Sequence, residues 1–224
     1  QGRLEDAEAL CTALLSAQPR RFDALHLLGV IALQNKAYQR AADLIGTALE
    51  ITPHALAYNN LGAAYLELKQ AERALDCFDK ALSLQPDSVN VLNNRGNALR
   101  ALGRYSGAVD ACDAALSRRP EYAEAWHNRG LTLHAMKRHD EAVQSYRRAI
   151  ALKPDYADAL NTCGLALKEL GQPDAALASY GQALALDPAL AEAWNNRGVA
   201  LQDLQRYDEA LESYDKALAL APDT

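Results

Sequence analysis

The chain has 224 residues, half of them hydrophobic, so it is long enough to fold as one large domain or two small ones. Its formal net charge of −6 excludes the broad positive surface that attracts nucleic acid or anionic lipid. No run of about 18 apolar residues is present to cross a membrane, and the N-terminal stretch lacks the layout of a signal peptide. We therefore expect a cytoplasmic protein that binds neither nucleic acid nor membrane.

Prolines recur along the whole chain at intervals of 33 or 34 residues. When each repeat is numbered so that this proline is position 32, every complete repeat has glycine at position 8 and alanine at positions 20 and 27. Two antiparallel helices approach closely only where small side chains face the bulk of a neighbour. The period therefore predicts a series of helical hairpins, each ended by one of the prolines Pro19, Pro53, Pro86, Pro120, Pro154, Pro188 and Pro222.

The period divides the chain into one partial repeat and six complete ones. Residues 1–21 hold a single second helix, called helix B, and each complete repeat consists of a helix A followed by a helix B. Large residues at positions 4 and 24, such as Trp126 on helix A and Tyr146 on helix B, are expected to pack against the small ones. The complete repeats, numbered 1 to 6, span residues 22–54, 55–88, 89–122, 123–156, 157–190 and 191–224.

A short polar turn joins the two helices of each repeat. Gly103 and Gly171 are expected to adopt the left-handed conformation that ends many helices. Pro173 fits the first position of a helix, where a backbone N–H has no partner in any case. Aspartates near the start of helix B are predicted to cap it by accepting hydrogen bonds from its free N–H groups, at Asp140, Asp174 and Asp208.

Repeat 2 matches the pattern W-x2-L-G-x2-Y…A-x3-F…P through Leu61, Gly62, Tyr65, Ala74, Phe78 and Pro86. On these residues the chain resembles the tetratricopeptide repeat family over nearly its whole length. The resemblance implies an all-α, right-handed superhelical solenoid of antiparallel helix pairs, with helix A on the concave face, and a protein-interaction scaffold rather than an enzyme. Because the chain starts inside a repeat and ends without a polar closing helix, we expect a fragment of a longer chain whose uncapped ends associate with each other.

Asparagine is repeated on the face of helix A that the resemblance places in the concave groove. A helix interior is an unfavourable place for asparagine, and its amide offers one acceptor and two donors, which suit the backbone of an extended peptide. We predict peptide binding at position 6, by Asn60, Asn94, Asn128 and Asn196, and at position 5, by Asn59, Asn93, Asn161, Asn195 and His127. The alternative, that the amides join neighbouring helices, stays open, above all at position 5.

Acidic residues at position 2 indicate a protein or peptide partner that is neutral or basic, because they would repel an acidic tail. These residues are Asp23, Glu124, Asp158 and Glu192. The asparagine ladder also resembles the substrate-holding arm of protein O-linked N-acetylglucosamine transferases, which implies an alternative function as the substrate-recruiting arm of such a glycosyltransferase. A third alternative is a purely structural assembly repeat.

The sequence has no motif for catalysis, a cofactor or a metal ion. A glycine-rich phosphate loop, an HExxH motif and a nucleophile elbow are all missing, so we predict no catalytic residue. His127 and His134 lie seven residues apart on one predicted helix, but a metal site needs a third ligand. The cysteines form no CxxC pair and are predicted to be buried and reduced, at Cys11, Cys77, Cys112 and Cys163.

Overall fold

The computed structural model describes residues 2–221, with side chains from residue 6 onward. This part of the chain folds into helices without a strand, which confirms the predicted all-α class. Its helices are Gly2–Ala17 (α1), Phe22–Gln34 (α2), Tyr38–Ile51 (α3), Ala55–Glu67 (α4), Ala71–Leu84 (α5), Val89–Ala101 (α6), Tyr105–Arg118 (α7), Ala123–Ala135 (α8), His139–Leu152 (α9), Ala157–Glu169 (α10), Pro173–Leu186 (α11), Ala191–Asp203 (α12) and Tyr207–Leu220 (α13).

The even-numbered helices are helices A, and each packs most extensively against the helix B that follows it. Every helix B from α1 to α11 ends two residues before a proline of the repeat. Where its angles are described, the residue in between is not helical, as at Thr52, where φ is −150° and ψ is 122°. The reason is steric, because proline disfavours the helical conformation in the residue before it. Pro222, which was expected to follow the last helix B in the same way, lies outside the described residues.

The turn between helix A and helix B contains a residue with positive φ in each of the six described hairpins. Gly103 and Gly171 take this conformation at φ values of 70° and 72°, as predicted. The other four hairpins place a residue with a side chain there, which the sequence did not indicate: Lys36, Lys69, Lys137 and Gln205, with φ between 58° and 60°. After Lys69, the backbone N–H of Gln70 donates to the carbonyl of Tyr65, five residues earlier, at 2.8 Å. This hydrogen bond requires a left-handed residue between the two helices.

The predicted aspartate caps are wrong. Helices α9, α11 and α13 each begin one residue before the aspartate, so Asp140, Asp174 and Asp208 lie in the first turn, and no side chain caps these helices. At two of these starts an arginine precedes the helix and pairs with a glutamate three residues on, at 2.6 Å for Arg138–Glu141 and 2.7 Å for Arg206–Glu209. The first-turn acids still stabilise the helix through its dipole. Pro173 begins α11, as predicted.

The glycine at position 8 lets helix B pack directly on helix A. A Cβ atom added to Gly130 would lie 2.5 Å from Cε1 of Tyr146, and one added to Gly164 would lie 2.6 Å from Cε1 of Tyr180. Tyr146 and Tyr180 have no exposed surface. The predicted packing of small residues against bulky ones at position 24 is therefore confirmed within these repeats.

The two tryptophans at position 4 are less enclosed than the sequence suggested. Trp126 and Trp194 are half-buried, and the indole N–H of each donates to the carbonyl of the preceding proline, at 2.8 Å and 3.0 Å. An indole N–H needs a partner when it leaves water, and this carbonyl provides one at the end of the previous helix B. These rings therefore connect consecutive repeats at the surface.

Residue contacts divide the chain into two compact units, Gln1–Arg118 and Arg119–Thr224. The N-terminal unit contains α1 to α7 and has a core built around Ile45, Phe78 and the alanines of the repeat. The C-terminal unit contains α8 to α13, and one of its clusters joins Leu160, Ala183 and Leu184. The division falls inside repeat 3, so the two units are described separately below.

Candidate functional site

Side chains at positions 5 and 6 join consecutive repeats of the N-terminal unit by hydrogen bonds. Asn94 Nδ2 donates to Asn59 Oδ1 at 2.9 Å. Asn60 Nδ2 lies 3.1 Å from His26 Nε2 in the preceding repeat. In both pairs the amide at position 6 reaches back to position 5 of the repeat before it.

The same arrangement occurs in the C-terminal unit. Asn196 Nδ2 donates to Asn161 Oδ1 at 3.1 Å. Repeat 5 has Thr162 at position 6, and its hydroxyl lies 3.2 Å from Nε2 of His127. The other ring nitrogen of His127, Nδ1, lies 3.1 Å from the Tyr156 hydroxyl, so both nitrogens have partners.

In three of the position-6 amides the bridging bond uses only the nitrogen. Asn60, Asn94 and Asn196 use Nδ2 for the bridge, and Oδ1 makes no hydrogen bond among the described residues. All three side chains are half-buried, and their Oδ1 atoms are not among the buried atoms without a partner. Asn128 at the same position is also half-buried. Since the bridge holds the amide in one orientation, Oδ1 is a fixed acceptor on the helix-A face.

Position 5 is more enclosed than position 6. Asn93, Asn161 and His127 are 4%, 3% and 8% exposed, whereas Asn59 is half-buried and Asn195 is exposed. Where their hydrogen bonds are described, these position-5 side chains bond the position-6 side chain of the next repeat. The sequence analysis named this arrangement as the alternative to peptide binding. Peptide contact by position 5 stays a prediction.

Helix α6 presents two polar atoms that the sequence analysis did not single out. Asn97 Oδ1 and Arg100 Nε are buried and have no hydrogen-bond partner among the described residues. They lie one helical turn apart on the same face, and a buried polar atom without a partner costs about 1–3 kcal/mol. The sequence did carry a signal, because every other helix A has valine, alanine or leucine where α6 has Asn97.

Acidic residues at position 2 give the helix-A face of the C-terminal unit a negative edge. Asp158 and Glu192 are exposed, and Glu124 lies 3.9 Å from the Lys153 ammonium. Burial, together with the charges of Glu124 and Asp158, raises the pKa of Tyr156 to about 12. Tyr156 therefore keeps its proton at neutral pH and can donate it in a hydrogen bond to His127.

A second feature that the sequence analysis missed is a group of three rings in the N-terminal unit, those of Phe22, His26 and His54. The Phe22 ring centroid lies 5.5 Å from that of His26 and 5.3 Å from that of His54. Burial, and then the neighbouring His54, lower the pKa of His26, which favours an uncharged ring at neutral pH.

Two cavities occupy equivalent places among neighbouring helices of the two units. One of about 570 Å³ lies among α3, α4 and α5 and is lined in part by Gly46, Tyr58 and Cys77. The other, of about 380 Å³, lies among α9, α10 and α11 and is lined in part by Arg147 and Cys163. Neither contains a position-5 or position-6 asparagine.

The remaining histidines and cysteines form no metal centre in the described part of the chain. The described contact of His134 is with His139, at 3.2 Å between the two Nδ1 atoms, whereas the described bonds of His127 go to Thr162 and Tyr156. Among the described residues there is no group of three or more histidine, cysteine, aspartate and glutamate side chains suited to a metal ion. The four cysteines are buried and form no disulfide, as predicted, and burial raises the pKa of Cys77 to about 11. None of the described helices is both long enough and apolar enough to cross a membrane.

Comparison with solved structures places this fold among known repeat proteins. MamA from Desulfovibrio magneticus RS-1 is 25% identical, with a TM-score of 0.67 over 76% of this chain and 97% of that one. YrrB, described as a TPR protein with an unusual peptide-binding site, is 28% identical, with a TM-score of 0.61 over 81% of this chain and 94% of that one. PilW, a type IV pilus biogenesis factor, is 23% identical over 91% of this chain and 94% of that one, with a TM-score of 0.83, and it supports the fold alone.

Family models match nearly the whole sequence. One tetratricopeptide repeat model matches residues 1–55 and 93–157, more than half of the chain, and a second matches residues 55–88 and 191–224. A third, described as a TPR repeat, matches residues 164–205. No curated protein matches the chain. The matches and the helical hairpins together identify the chain as a member of the tetratricopeptide repeat family.

Proposed function

We propose that the helix-A face of each unit binds an extended peptide segment of a partner protein, without a catalytic step. The observation that carries this proposal is the fixed amide at position 6, whose Oδ1 has no partner in Asn60, Asn94 and Asn196. An acceptor held in place by a bridge loses little freedom when it binds a peptide N–H, and this preorganisation favours affinity.

The spacing of the amides suits an extended chain. The position-6 amides recur once per repeat, and an extended peptide advances roughly 3.3 Å per residue, so successive amides meet the backbone several residues apart.

Membership of a family of interaction repeats supports the proposal at the coarser level of protein or peptide binding. YrrB carries a peptide-binding site by its description, and its structure aligns with most of this chain. The finer proposal concerns charge. Asp158 and Glu192 are exposed and form no ion pair with another described residue. We therefore expect the C-terminal unit to favour a neutral or basic segment over an acidic one.

The test removes the amide and leaves a hydroxyl at position 6. At Thr162 such a hydroxyl reaches His127 at position 5 of the preceding repeat. We therefore choose threonine replacements of the position-6 residues Asn60, Asn94, Asn128 and Asn196. Peptides selected on the wild-type chain from a phage-displayed library of random dodecapeptides would be measured by fluorescence anisotropy. Losing several hydrogen bonds of about 0.5–1.5 kcal/mol each should weaken binding at least about tenfold.

The free energy of unfolding serves as the control for this experiment, because it reports whether the threonine hydroxyls replace the inter-repeat bridges. Far-UV circular dichroism in urea should give a midpoint close to that of the wild-type chain. Unchanged peptide affinity in the fourfold variant would contradict the proposal. The alternative function, a substrate-recruiting arm of a glycosyltransferase, stays a prediction that none of these observations favours.

Self-association through the last repeat remains part of the proposal. Leu211 and Leu218 of α13 are exposed large side chains, and burying them would be favourable. We expect the chain of residues 1–224 to associate at high concentration. Light scattering over a concentration series would measure this, and a mass that stays monomeric throughout would refute it.

A further inference from the structure

The cavity of about 380 Å³ among α9, α10 and α11, which we call the α10 cavity, lies inside the repeat series of the C-terminal unit. Helix α8 precedes these three helices and α12 follows them in the same unit. Most of its lining side chains are apolar, such as those of Ile150, Leu160 and Leu167. A volume at the lower end of about 300–1,000 Å³ and apolar walls are typical of a small-molecule site.

The α10 cavity lies where repeats 4 and 6 place an arginine side chain. In repeat 6, Arg197 at position 7 donates to the Ser213 hydroxyl at 2.6 Å, and its guanidinium carbon lies 5.8 Å from the centroid of the Trp194 ring at position 4. Repeat 4 has the same three residue types in the same contacts. In repeat 5 the arginine and the tryptophan are replaced by Cys163 and Leu160, which line the cavity. These smaller side chains leave the space of an arginine stem open.

A different arginine lines the α10 cavity. Arg147 belongs to the preceding helix B, is exposed, and forms no ion pair with another described residue. Burial raises the pKa of the Cys163 thiol, and the charge of Arg147 partly offsets this rise, which places the guanidinium near the floor of the cavity. The neutral polar groups of Ser179 and Gln182 also line it. The cavity therefore combines apolar walls, an unpaired positive charge and two neutral hydrogen-bonding groups.

The carboxylate that accompanies the arginine in the neighbouring repeats is missing from repeat 5. Position 19 is glutamate in repeats 4 and 6, and Glu209 Oε2 lies 4.0 Å from Nη2 of Arg197. Position 19 of repeat 5 is Ala175, and no aspartate or glutamate is found among the described residues that line the α10 cavity. The equivalent cavity of the N-terminal unit has carboxylates of its own, at Glu50, Glu72 and Asp76. An unpaired arginine beside apolar walls is complementary to a ligand that brings a carboxylate.

We propose that the α10 cavity binds a small monocarboxylate with an apolar body, such as a medium-chain fatty acid or an arylalkanoic acid. Arg147 pairs with the carboxylate, and the apolar body packs against Leu160 and Leu167. A small molecule fits better than a protein segment, because Arg197 occupies the equivalent place in the next repeat and an extended chain would find no continuous groove. None of the position-6 amides lines the cavity, so this inference does not rest on the proposed function.

The experiment measures binding of sodium octanoate and sodium phenylpropanoate to the chain by isothermal titration calorimetry, with octanamide as the uncharged analogue. Arg147→Gln removes the positive charge from the cavity. Ala175→Glu introduces the glutamate that repeats 4 and 6 carry at position 19. The matched control is Arg148→Gln, which changes the net charge equally at an exposed neighbour that does not line the cavity. All three replaced residues are exposed, and urea midpoints close to the wild-type value verify folding.

At least one of the two acids should bind at one site per chain. Its affinity should fall at least about tenfold in Arg147→Gln, through loss of the charge-assisted hydrogen bond, and by a similar factor in Ala175→Glu, whose carboxylate competes for the arginine. Arg148→Gln should bind as the wild-type chain does. Octanamide should bind more weakly than octanoate, and Arg147→Gln should leave its affinity unchanged.

Four results would overturn the inference. These are no binding of either acid, several sites per chain, equal losses in Arg147→Gln and Arg148→Gln, or octanamide binding as tightly as octanoate. If neither acid binds but peptides from the dodecapeptide library lose affinity in Arg147→Gln, the occupant is an acidic protein segment and the small-molecule site is refuted. The fourfold threonine variant of the position-6 amides should bind octanoate normally, so failure of the proposed function would not affect this result.

Discussion

The sharpest test of the packing is a single methyl group placed between α10 and α11 by Gly164→Ala. The added Cβ would lie 2.6, 2.8 and 2.9 Å from three ring carbons of Tyr180, which is fully buried and cannot swing into solvent. In a helix interior, alanine is more favourable than glycine by about 1 kcal/mol. Overpacking a core costs about 1–3 kcal/mol, and three contacts below 3.0 Å put this site at the upper end of that range. After the propensity gain is subtracted, we expect a net loss of about 1–2 kcal/mol in the free energy of unfolding.

The matched control is Gly181→Ala on the neighbouring helix. A Cβ at Gly181 meets nothing within 4 Å, so only the propensity gain of about 0.5–1 kcal/mol applies and the free energy of unfolding should rise. Urea unfolding by far-UV circular dichroism measures both variants. Because repeats unfold with coupling to their neighbours, amide hydrogen exchange in α10 and α11 should report the change locally.

A third variant tests whether the tyrosine ring is the cause. Tyr180→Leu removes the ring carbons that the new methyl group would meet. Gly164→Ala should therefore cost less in the Tyr180→Leu background than in the wild-type chain, with a coupling energy of about 0.5–3 kcal/mol. If Gly164→Ala alone leaves the chain as stable as wild type, the close contact does not constrain this hairpin and the reasoning fails.

Three more predictions use the same unfolding assay. Tyr180→Phe removes a buried hydroxyl that has no hydrogen-bond partner among the described residues, so the free energy of unfolding should stay the same or rise. Tyr214→Phe removes a hydrogen bond to Gln202 and should lower the free energy of unfolding by about 0.5–1.5 kcal/mol. A larger loss in Tyr180→Phe than in Tyr214→Phe would contradict this. Lys69→Gly should raise the free energy of unfolding by about 1 kcal/mol, because φ at Lys69 is 59° and this left-handed conformation is unfavourable for a residue with a Cβ atom. A lower free energy of unfolding would show that the lysine side chain itself stabilises the turn. The pKa values of His26 and His134 are lowered in the folded chain, so the unfolded chain takes up protons more readily as pH falls through 6.5. The urea midpoint should therefore decrease between pH 7.5 and pH 5.5. A midpoint that does not change over this range would refute the prediction.

The sequence located the helical hairpins correctly because their causes are local. Proline ends a helix by its own ring, and glycine or alanine at a fixed position decides how near a second helix can come. The turns were predicted only in part. Gly103 and Gly171 indicate a left-handed residue by type, but Lys69 adopts that conformation because the hairpin's hydrogen bonds require it. The aspartate caps failed for a similar reason, since a shift of one residue in the helix start turns a cap into a first-turn acid.

The candidate site was predicted from the sequence less completely than the helices were. The period was enough to place asparagines on one face of helix A, where an unfavourable residue type indicates a function. It did not distinguish Asn94, which keeps a free acceptor, from Asn93, which is enclosed. Nor did it reveal that the rings of Phe22, His26 and His54 cluster, because His54 directly precedes α4 whereas Phe22 and His26 lie on α2.

The amino-acid sequence by itself therefore determined the repeat, the helix pairs and the small-to-large packing within each hairpin. Only the tertiary structure decided which polar atoms remain available, because that depends on bonds between side chains 34 or 35 residues apart, such as Asn60 to His26 and Asn94 to Asn59. Such bonds form only after neighbouring repeats have docked, and no pattern within one repeat specifies them.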